Sequence, residues 1–593
     1  MVKSLEKYAP WIIRVVGILI LVGFLVQGRK SINAPVLVAC AVLAASLLLN
    51  ARGVESGSAR NSAIAGALSL LLVLQISLSE MYAAPCLATS GVLLRIFLAV
   101  GIFANVFLAL RTVLTKTLTM VLADGAARKE KATIASRTAG KRNNVVLYKC
   151  VIAAESVLFL ISTYPGIWLQ GDAAGVYGEA VNNVWDAWHT IGYVWFVRLC
   201  TLVYNSPYAV NVAQTVFWVI LNFYILDILE KTNKGNAFLY TVLLCCSTFP
   251  FLYLEMLAKD TVFSMGILAT TAVLYKVLET EAVSGKDVLC LATIPVFSLL
   301  CRHGGELVVL VSCAATLAYF LVKHQKQQAK KILVALLWLL FVYLLVNVVL
   351  TKALSVAKNP SYVKYSTPMA MVGAAVAQDV TFSEEDTAIL ERVMPLEQWG
   401  ECYNRYWSDD IARDWGKIGP DAVGRLQEEV DNNGFGAELL RINAKLLIQH
   451  PVIYLRAFFD MNSILWEFGT PQEASLMSVA MVKEDEQIRY SAAYTVTRTL
   501  AQFLDSYPLT RAVMVRGGVP LFLILFCAVI LGIRKKALLI SFLPIALVEL
   551  MLAFTVPAQD PRYILPAIEC AVLFVSIVLA KAANGKKRCM AHG

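Results

Sequence analysis

Beyond a long apolar run, Tyr164-Pro165-Gly166 is followed by Asp172 and then by Trp188-His189, with Trp168 and Trp185 in the same stretch. Three later turns between apolar runs are comparably polar. Glu255, Lys259 and Asp260 stand at the first, Arg302, His303, Gly304, Gly305 and Glu306 at the second, and Gln559, Asp560, Arg562 and Tyr563 at the last. Carboxylates and histidine are the residue types of proton transfer, and arginine and lysine those of anion contact. Taken singly, Lys259 or Arg562 reads as a snorkelling anchor, Asp260 as a helix cap, His303 as a satisfied turn residue and Asp172 as a loop aspartate. Ionisable groups near a membrane are costly to bury unless they face a polar cavity, so four such turns at one level suggest a site.

The elements that must hold these turns follow from composition. Of the 593 residues, 58% are hydrophobic and only 16% charged, and the mean hydropathy is +0.65. Apolar runs of about 18 to 24 residues recur, each long enough to cross roughly 30 Å of hydrocarbon, which defines an all-α polytopic membrane protein. The first run, near Trp11 to Gln27, has no convincing small-residue cleavage site and is read as retained. The net charge of +10 sits in short basic loops, so it sets orientation and does not indicate nucleic acid. Most of the thirteen cysteines fall in apolar runs, where cysteine behaves as a small hydrophobe. Neither a zinc spacing nor a disulfide framework is present.

Spans are expected near 11–27, 34–50, 63–80 and 89–110, a four-helix extension over 1–122. The linker 123–144 carries Arg128, Lys129, Lys131, Arg137, Lys141 and Arg142, and the positive-inside rule makes it cytoplasmic. The fifth run, 145–163, then ends at Pro165 and delivers the loop 164–207, with Asp172, to the opposite face. Later spans are expected near 208–229, 238–257, 261–279, 287–301, 307–323 and 332–351, and after them 515–533, 537–555 and 563–581. If 188–204 does not cross, Lys323–Lys331, Arg534-Lys535-Lys536 and Lys586-Lys587-Arg588 all fall inside with both termini. The stretch 174–204 is therefore expected as interfacial helices, giving about fourteen spans. The polar stretch 352–510 reads as a small helical extracytoplasmic domain, from the helical spacing in 437–448 and 451–466. Residues 511–593 form the last spans and a basic tail.

This pattern resembles the GT-C superfamily of membrane glycosyltransferases. It is most similar to an uncharacterised bacterial branch reading Tyr-Pro-Gly, Asp, His-Pro, Lys-Asp, Arg-Asn-x-Gly and Arg-Tyr-x-x-Pro. This chain supplies Tyr164-Pro165-Gly166, Asp172, Trp188-His189, Lys259-Asp260, Arg302-His303-Gly304-Gly305 and Arg562-Tyr563-Ile564-Leu565-Pro566. The stretch Pro368 to Asp410 is also similar, so the resemblance covers 145–581, with 145–351 as the catalytic module. Thr190 replaces the proline after the histidine, and His303 the asparagine.

The resemblance implies a GT-C-like bundle in a bacterial cytoplasmic membrane. A sugar on a polyprenyl phosphate would be transferred, with inversion, to a glycan, lipid or protein acceptor outside. Asp172 would be the general base, and Lys259, Arg302, His303 and Arg562 would contact the donor phosphate. Tyr164, Trp188, His189, Asp260, Glu306 and Tyr563 would line the substrate site. Asp260 or Glu255 is placed to orient the cations or to hold a divalent cation such as Mg²⁺ or Mn²⁺. The sequence offers no demanding ligand set, and no metal is expected. Trp168, Trp185 and Trp188 read as interfacial anchors before they read as sugar platforms.

Two other functions fit the composition. A polysaccharide polymerase or ligase also uses lipid-linked saccharides, but would not depend on a carboxylate in the first external loop. A transporter or lipid flippase is disfavoured by the absence of detectable repeated halves and the scarcity of mid-membrane charges and broken helices, although Glu155 and Glu549 lie within spans.

Overall fold

The computed structural model describes residues 145–162, 164, 172–231, 236–413, 416–468 and 515–589, with 63–70, 107, 111–115 and 499. The first four expected spans, apart from those pieces, and the basic linker lie outside the described residues, as do Pro165, Gly166 and Trp168. Among the described residues no strand forms, and one isolated bridge joins Asp186 to Ala357.

The helices nearest the polar turns are α1 (Val145–Ser162), α2 (Asp172–Asn182), α3 (Ile191–Val203), α4 (Tyr208–Lys231), α5 (Ala237–Cys246), α6 (Thr248–Leu254) and α7 (Lys259–Thr280). Then come α8 (Gly285–Thr293), α9 (Pro295–Cys301), α10 (Gly305–Val322) and α11 (Lys326–Leu344), which continues through a π-helical segment, Leu345–Leu350. Among the described residues seven helices are long and apolar enough to cross a membrane by length and composition, and α3 and α5 are among the shorter apolar ones. At thirteen residues, α3 would reach about 20 Å at 1.5 Å per residue, too little to span.

Two runs expected as single spans are interrupted. Residues 238–257 break at Ser247 between α5 and α6, because Pro250 has no N–H to give to Cys246. Residues 287–301 break between α8 and α9, where Pro295 opens the new helix. The expectation that broken helices are scarce was therefore wrong: hydropathy registers apolar length, not the backbone hydrogen bonds a proline removes.

Helix α7 is the centre of the bundle, with 94% of its apolar window buried, against α9, α4 and the last helix. Its approach to α9 is close because Gly266 has no side chain. A Cβ there would stand 2.2 Å from Ser298 Oγ, which donates to the Phe263 carbonyl at 2.6 Å. That contact brings the start of α7 against the end of α9. At the other end of α7, Lys331 Nζ donates to Val283 O at 2.5 Å and Lys535 Nζ to Leu278 O at 2.7 Å. Two of the basic loops thus share the end of α7 remote from Asp260.

A second packed unit comprises α12 (Ser366–Val376), α13 (Glu384–Glu391), α14 (Leu396–Cys402), α15 (Asp409–Ala412), α16 (Gly419–Asn432), α17 (Phe435–Gln449) and α18 (Pro451–Met461). Its own core includes Met369, Trp399, Leu426, Phe435 and Leu439. After it come α19 (Ser463–Trp466), α20 (Gly518–Arg534), α21 (Leu543–Thr555) and α22 (Leu565–Cys589). The unit is tied to the bundle where Ser408 N–H donates to Pro557 O at 2.9 Å and Asn462 Nδ2 to Ala553 O at 3.2 Å.

Candidate functional site

Four turns converge on one cluster of charge. Asp172, the first residue of α2, accepts from Arg562 Nη1 at 2.9 Å. Arg562 Nε lies 3.1 Å from Asp560 Oδ2 and 3.8 Å from Asp260 Oδ2. Asp260, in the first turn of α7, pairs with Arg302 at the end of α9. It does not cap α7, since the N-cap is Ala258. The Tyr563 ring lies between the two arginines, 5.0 Å from Arg302 Cζ and 5.2 Å from Arg562 Cζ. An aromatic face attracts each guanidinium and so lets two like charges stand close together. Lys259 feels the charges of Asp172 and Asp260, but makes no hydrogen bond or ion pair among the described residues.

The backbone that presents Lys259 and Asp260 is pinned by buried amides. Asn211 Nδ2 and Gln214 Nε2 donate to Leu254 O at 3.2 and 2.8 Å, and Gln214 Nε2 also to Met256 O at 3.1 Å. Thr261 Oγ1 donates to Tyr253 O at 2.9 Å. Tyr253 Oη in turn reaches Asp560 Oδ1 at 3.4 Å, linking this turn to the one that carries Arg562.

His189 sits beside Asp172. Its Nδ1 is 2.6 Å from Glu179 Oε1, and its Nε2 is 3.9 Å from Asp172 Oδ1. Gly175 makes room for the ring, since a Cβ there would meet His189 Cε1 at 2.8 Å. Burial alone would lower the His189 pKa, but the Asp172 and Glu179 carboxylates outweigh it and raise it. Burial alone would raise the Asp172 pKa. His189, Arg562 and Lys259 together hold it well below the usual carboxylate range.

The raised His189 pKa has a testable consequence. Charged His189 stabilises the fold, and this contribution is complete below the unfolded imidazole value of about 6.5. It is lost as pH rises through the higher folded value. The difference in thermal stability between wild type and His189→Asn is expected to shrink over that interval. A difference that stays constant across the same pH series would contradict the assignment.

The remaining expected residues fall in different places. Trp188 lies under Arg413, whose Cζ is 4.3 Å from the ring centroid. Tyr164 packs edge-on against Tyr208 at 4.9 Å, and among the described residues no contact ties it to the cluster. Glu306 begins α10 near His303. His303 Nε2 is 3.2 Å from Ala187 O, so it holds the 183–190 loop and does not join the cations. Burial lowers its pKa, which favours a neutral ring donating to that carbonyl. Thr190 starts α3 with φ −54°, a value proline also adopts, so the local helix start survives the replacement.

The sequence reading missed Asp409 and Arg413. Arg413 Nε donates to Asp409 Oδ1 at 2.9 Å, and both side chains are largely buried. Burial raises the Asp409 pKa, Arg413 offsets part of the rise, and the nearby Asp172 charge adds to it. The second packed unit therefore places a carboxylate within electrostatic reach of Asp172. The signals were the acidic pair Asp409-Asp410 and the resemblance over Pro368 to Asp410, in a stretch read as a separate domain.

Beside Arg302 opens an apolar cavity of about 790 Å³. Trp195 and Phe196 of α3, Phe217 of α4, Phe297 of α9 and Val346 and Leu350 of the π-helical segment line it. Cys301, next to Arg302, and Tyr208, under Tyr164, lie at its wall. Asp172 and Asp260 are spent on arginines, and among the described residues no three His, Cys, Asp or Glu side chains gather as ligands. No protein-family model, curated protein or solved structure matches the chain.

Proposed function

We propose that this chain is a multi-pass membrane glycosyltransferase of GT-C type, facing the extracytoplasmic side of a bacterial cytoplasmic membrane. The observation that carries the reading is the meeting of Asp172 with Arg562, Arg302, Tyr563 and Lys259 beside an apolar cavity. The donor would be a sugar on a polyprenyl phosphate, with its isoprenoid chain in the cavity and its phosphate among the cations. The acceptor hydroxyl oxygen bonds to the anomeric carbon as the bond from that carbon to the phosphate oxygen breaks. The hydroxyl proton goes to Asp172, and the departing phosphate keeps the electron pair. Arg302, Arg562 and Lys259 offset the charge that grows there.

A carboxylate held as low as Asp172 is a poor proton acceptor. Donor phosphate that draws Arg562 and Lys259 toward itself would relieve two of the charges that hold the carboxyl low, with His189 still beside it, so its basicity would rise when donor is bound. The acceptor would be an envelope glycan, lipid or protein.

Transport is the second reading, favoured by the interrupted helices α5–α6 and α8–α9 and by Glu569, buried in the bundle against Ser264 at 2.6 Å. Purified protein in lipid, given a panel of radiolabelled polyprenyl-phosphate sugars and envelope acceptors, is expected to release polyprenyl phosphate. No donor consumed across the panel, together with solute or lipid flux in vesicles, would replace the first reading with the second.

A further inference from the structure

Helices α17 and α18 each bury one face in the second unit, through Phe435, Leu439, Ile442 and Leu446 and through Ala457 and Met461. Among the described residues nothing covers their other, apolar faces. Leu440, Leu447 and Ile448 on α17, and Val452, Leu455 and Phe459 on α18, form one stripe around the His450-Pro451 corner. Ile448 is 80% exposed and Val452 78%, although both are β-branched aliphatics with no polar atom to gain from water. The charged residues near the stripe are used elsewhere or stand at its margin. Glu438 pairs with Arg392, Arg441 with Glu385 at 2.7 Å, and Lys445 with Asp386 at 2.8 Å. Arg456 is the one left largely in the open, 3.8 Å from Asp460.

The stripe runs on into the end of a helix apolar enough to span. Phe458 packs on Phe554 with centroids 5.4 Å apart, and Thr367 Oγ1 donates to Phe554 O at 3.0 Å. Phe554 and Leu550 of that helix are themselves exposed. Trp466, against Phe459 at 6.0 Å, adds an amphipathic ring of the kind that favours a membrane interface.

From this continuity we infer that the α17–α18 corner is a membrane anchor. Its apolar stripe is seated in the boundary between headgroups and acyl chains of the leaflet where α21 ends, with Arg441 and Arg456 toward the phosphates. The inference rests on the membrane part of the reading above and is independent of the transferase part. The second unit is thereby held at two places, its hydrogen bonds to the bundle and its own footing in lipid. This fixes the height of Asp409 and Arg413 relative to Asp172.

The test uses the full chain in liposomes. Ile448→Cys and Val452→Cys, each in a background whose native cysteines are replaced, carry a nitroxide label. Collision with oxygen is expected to exceed collision with a water-soluble nickel complex several-fold at both sites. The order should reverse at Glu428→Cys, on the exposed face of α16. Nickel access at 448 and 452 equal to that at 428 would overturn the inference. Low access to both reagents would overturn it too, by pointing to a second copy of the chain on the stripe.

Val334→Cys, on the exposed side of α11, separates the two levels. An aqueous signature there sinks the membrane reading itself, whereas a lipid signature there with an aqueous one at 448 sinks only the anchor. If the cysteine-free background does not fold, hydroxyl-radical footprinting of the unaltered chain in bilayer discs gives the readout. Ile448 and Val452 should then be labelled several-fold less than their exposure in the free surface implies, and labelling at the full rate would overturn the anchor.

Discussion

Asp172→Asn is expected to lower sugar transfer by about 10² to 10⁴-fold, the range of a lost general base, while leaving the folded bundle intact. Asparagine keeps the shape and an oxygen that can accept from Arg562, which also retains Asp560 at 3.1 Å. The guanidinium is therefore not stranded. What disappears is the group that takes the acceptor proton and the negative charge that faces His189 and Lys259. The loss should fall on the rate of the bound complex, with little change in the donor concentration giving half the maximal rate. Single-turnover consumption of labelled donor measures this, with thermal unfolding as the control for folding. Transfer undiminished in Asp172→Asn would move the base elsewhere, and Asp409, buried beside Arg413, is the carboxylate to examine next.

The second large effect concerns stability. Arg516 and Glu467 have relative exposures of 0% and 1%, and Arg516 Nη2 lies 2.9 Å from Glu467 Oε2. Arg516 Nη1 also donates to Gln559 Oε1 at 2.9 Å, and Gln559 Nε2 to Met461 O at 2.8 Å. Arg516→Met breaks this buried ion pair, which costs about 3–5 kcal/mol. Exchanging both partners for apolar residues of similar volume, Arg516→Met with Glu467→Met, removes both charges of the pair. The double variant is therefore expected to recover most of the loss. Unfolding of the single and double variants in one detergent forms the cycle. A double variant as unstable as Arg516→Met would show that the ion pair is not the source. Because Gln559 precedes the turn that holds Arg562, the single variant should also slow transfer.

Much of the charged cluster was legible because its members sit at helix ends. Lys259, Asp260, Arg302 and Arg562 each interrupt an apolar run, and counting spans puts those interruptions on one side. The resemblance then attached roles to them. What could not be read was direction. His303 directly follows Arg302 in the same turn, yet its ring goes to the Ala187 carbonyl. Asn211 and Gln214 look like polar dilution of an apolar helix until their amides are seen on the 254–256 carbonyls. Arg516 and Glu467 are separated by 49 positions, and neither charge announces the other. Asp409 was hidden because a polar stretch between two apolar regions reads as a domain of its own. The breaks at Ser247 and Pro295 escaped a reading that weighs apolarity over long windows, although each proline was visible.

The burial of α7 sets it apart from the helices at the margin of the bundle. Nearly every residue of its apolar window is enclosed, so shifting it would unpack neighbours on all sides at once, whereas α1 and α11 have only 17% of theirs enclosed. Helix α7 is thus the axle, and it carries Lys259 and Asp260 at its tip. On the proposed reading, a lipid-linked donor would enter at the rim, where Val346 and Leu350 of the π-helical segment wall the cavity. Its phosphate would then meet charges carried on the enclosed helix, so donor entry and sugar transfer would answer to separate substitutions.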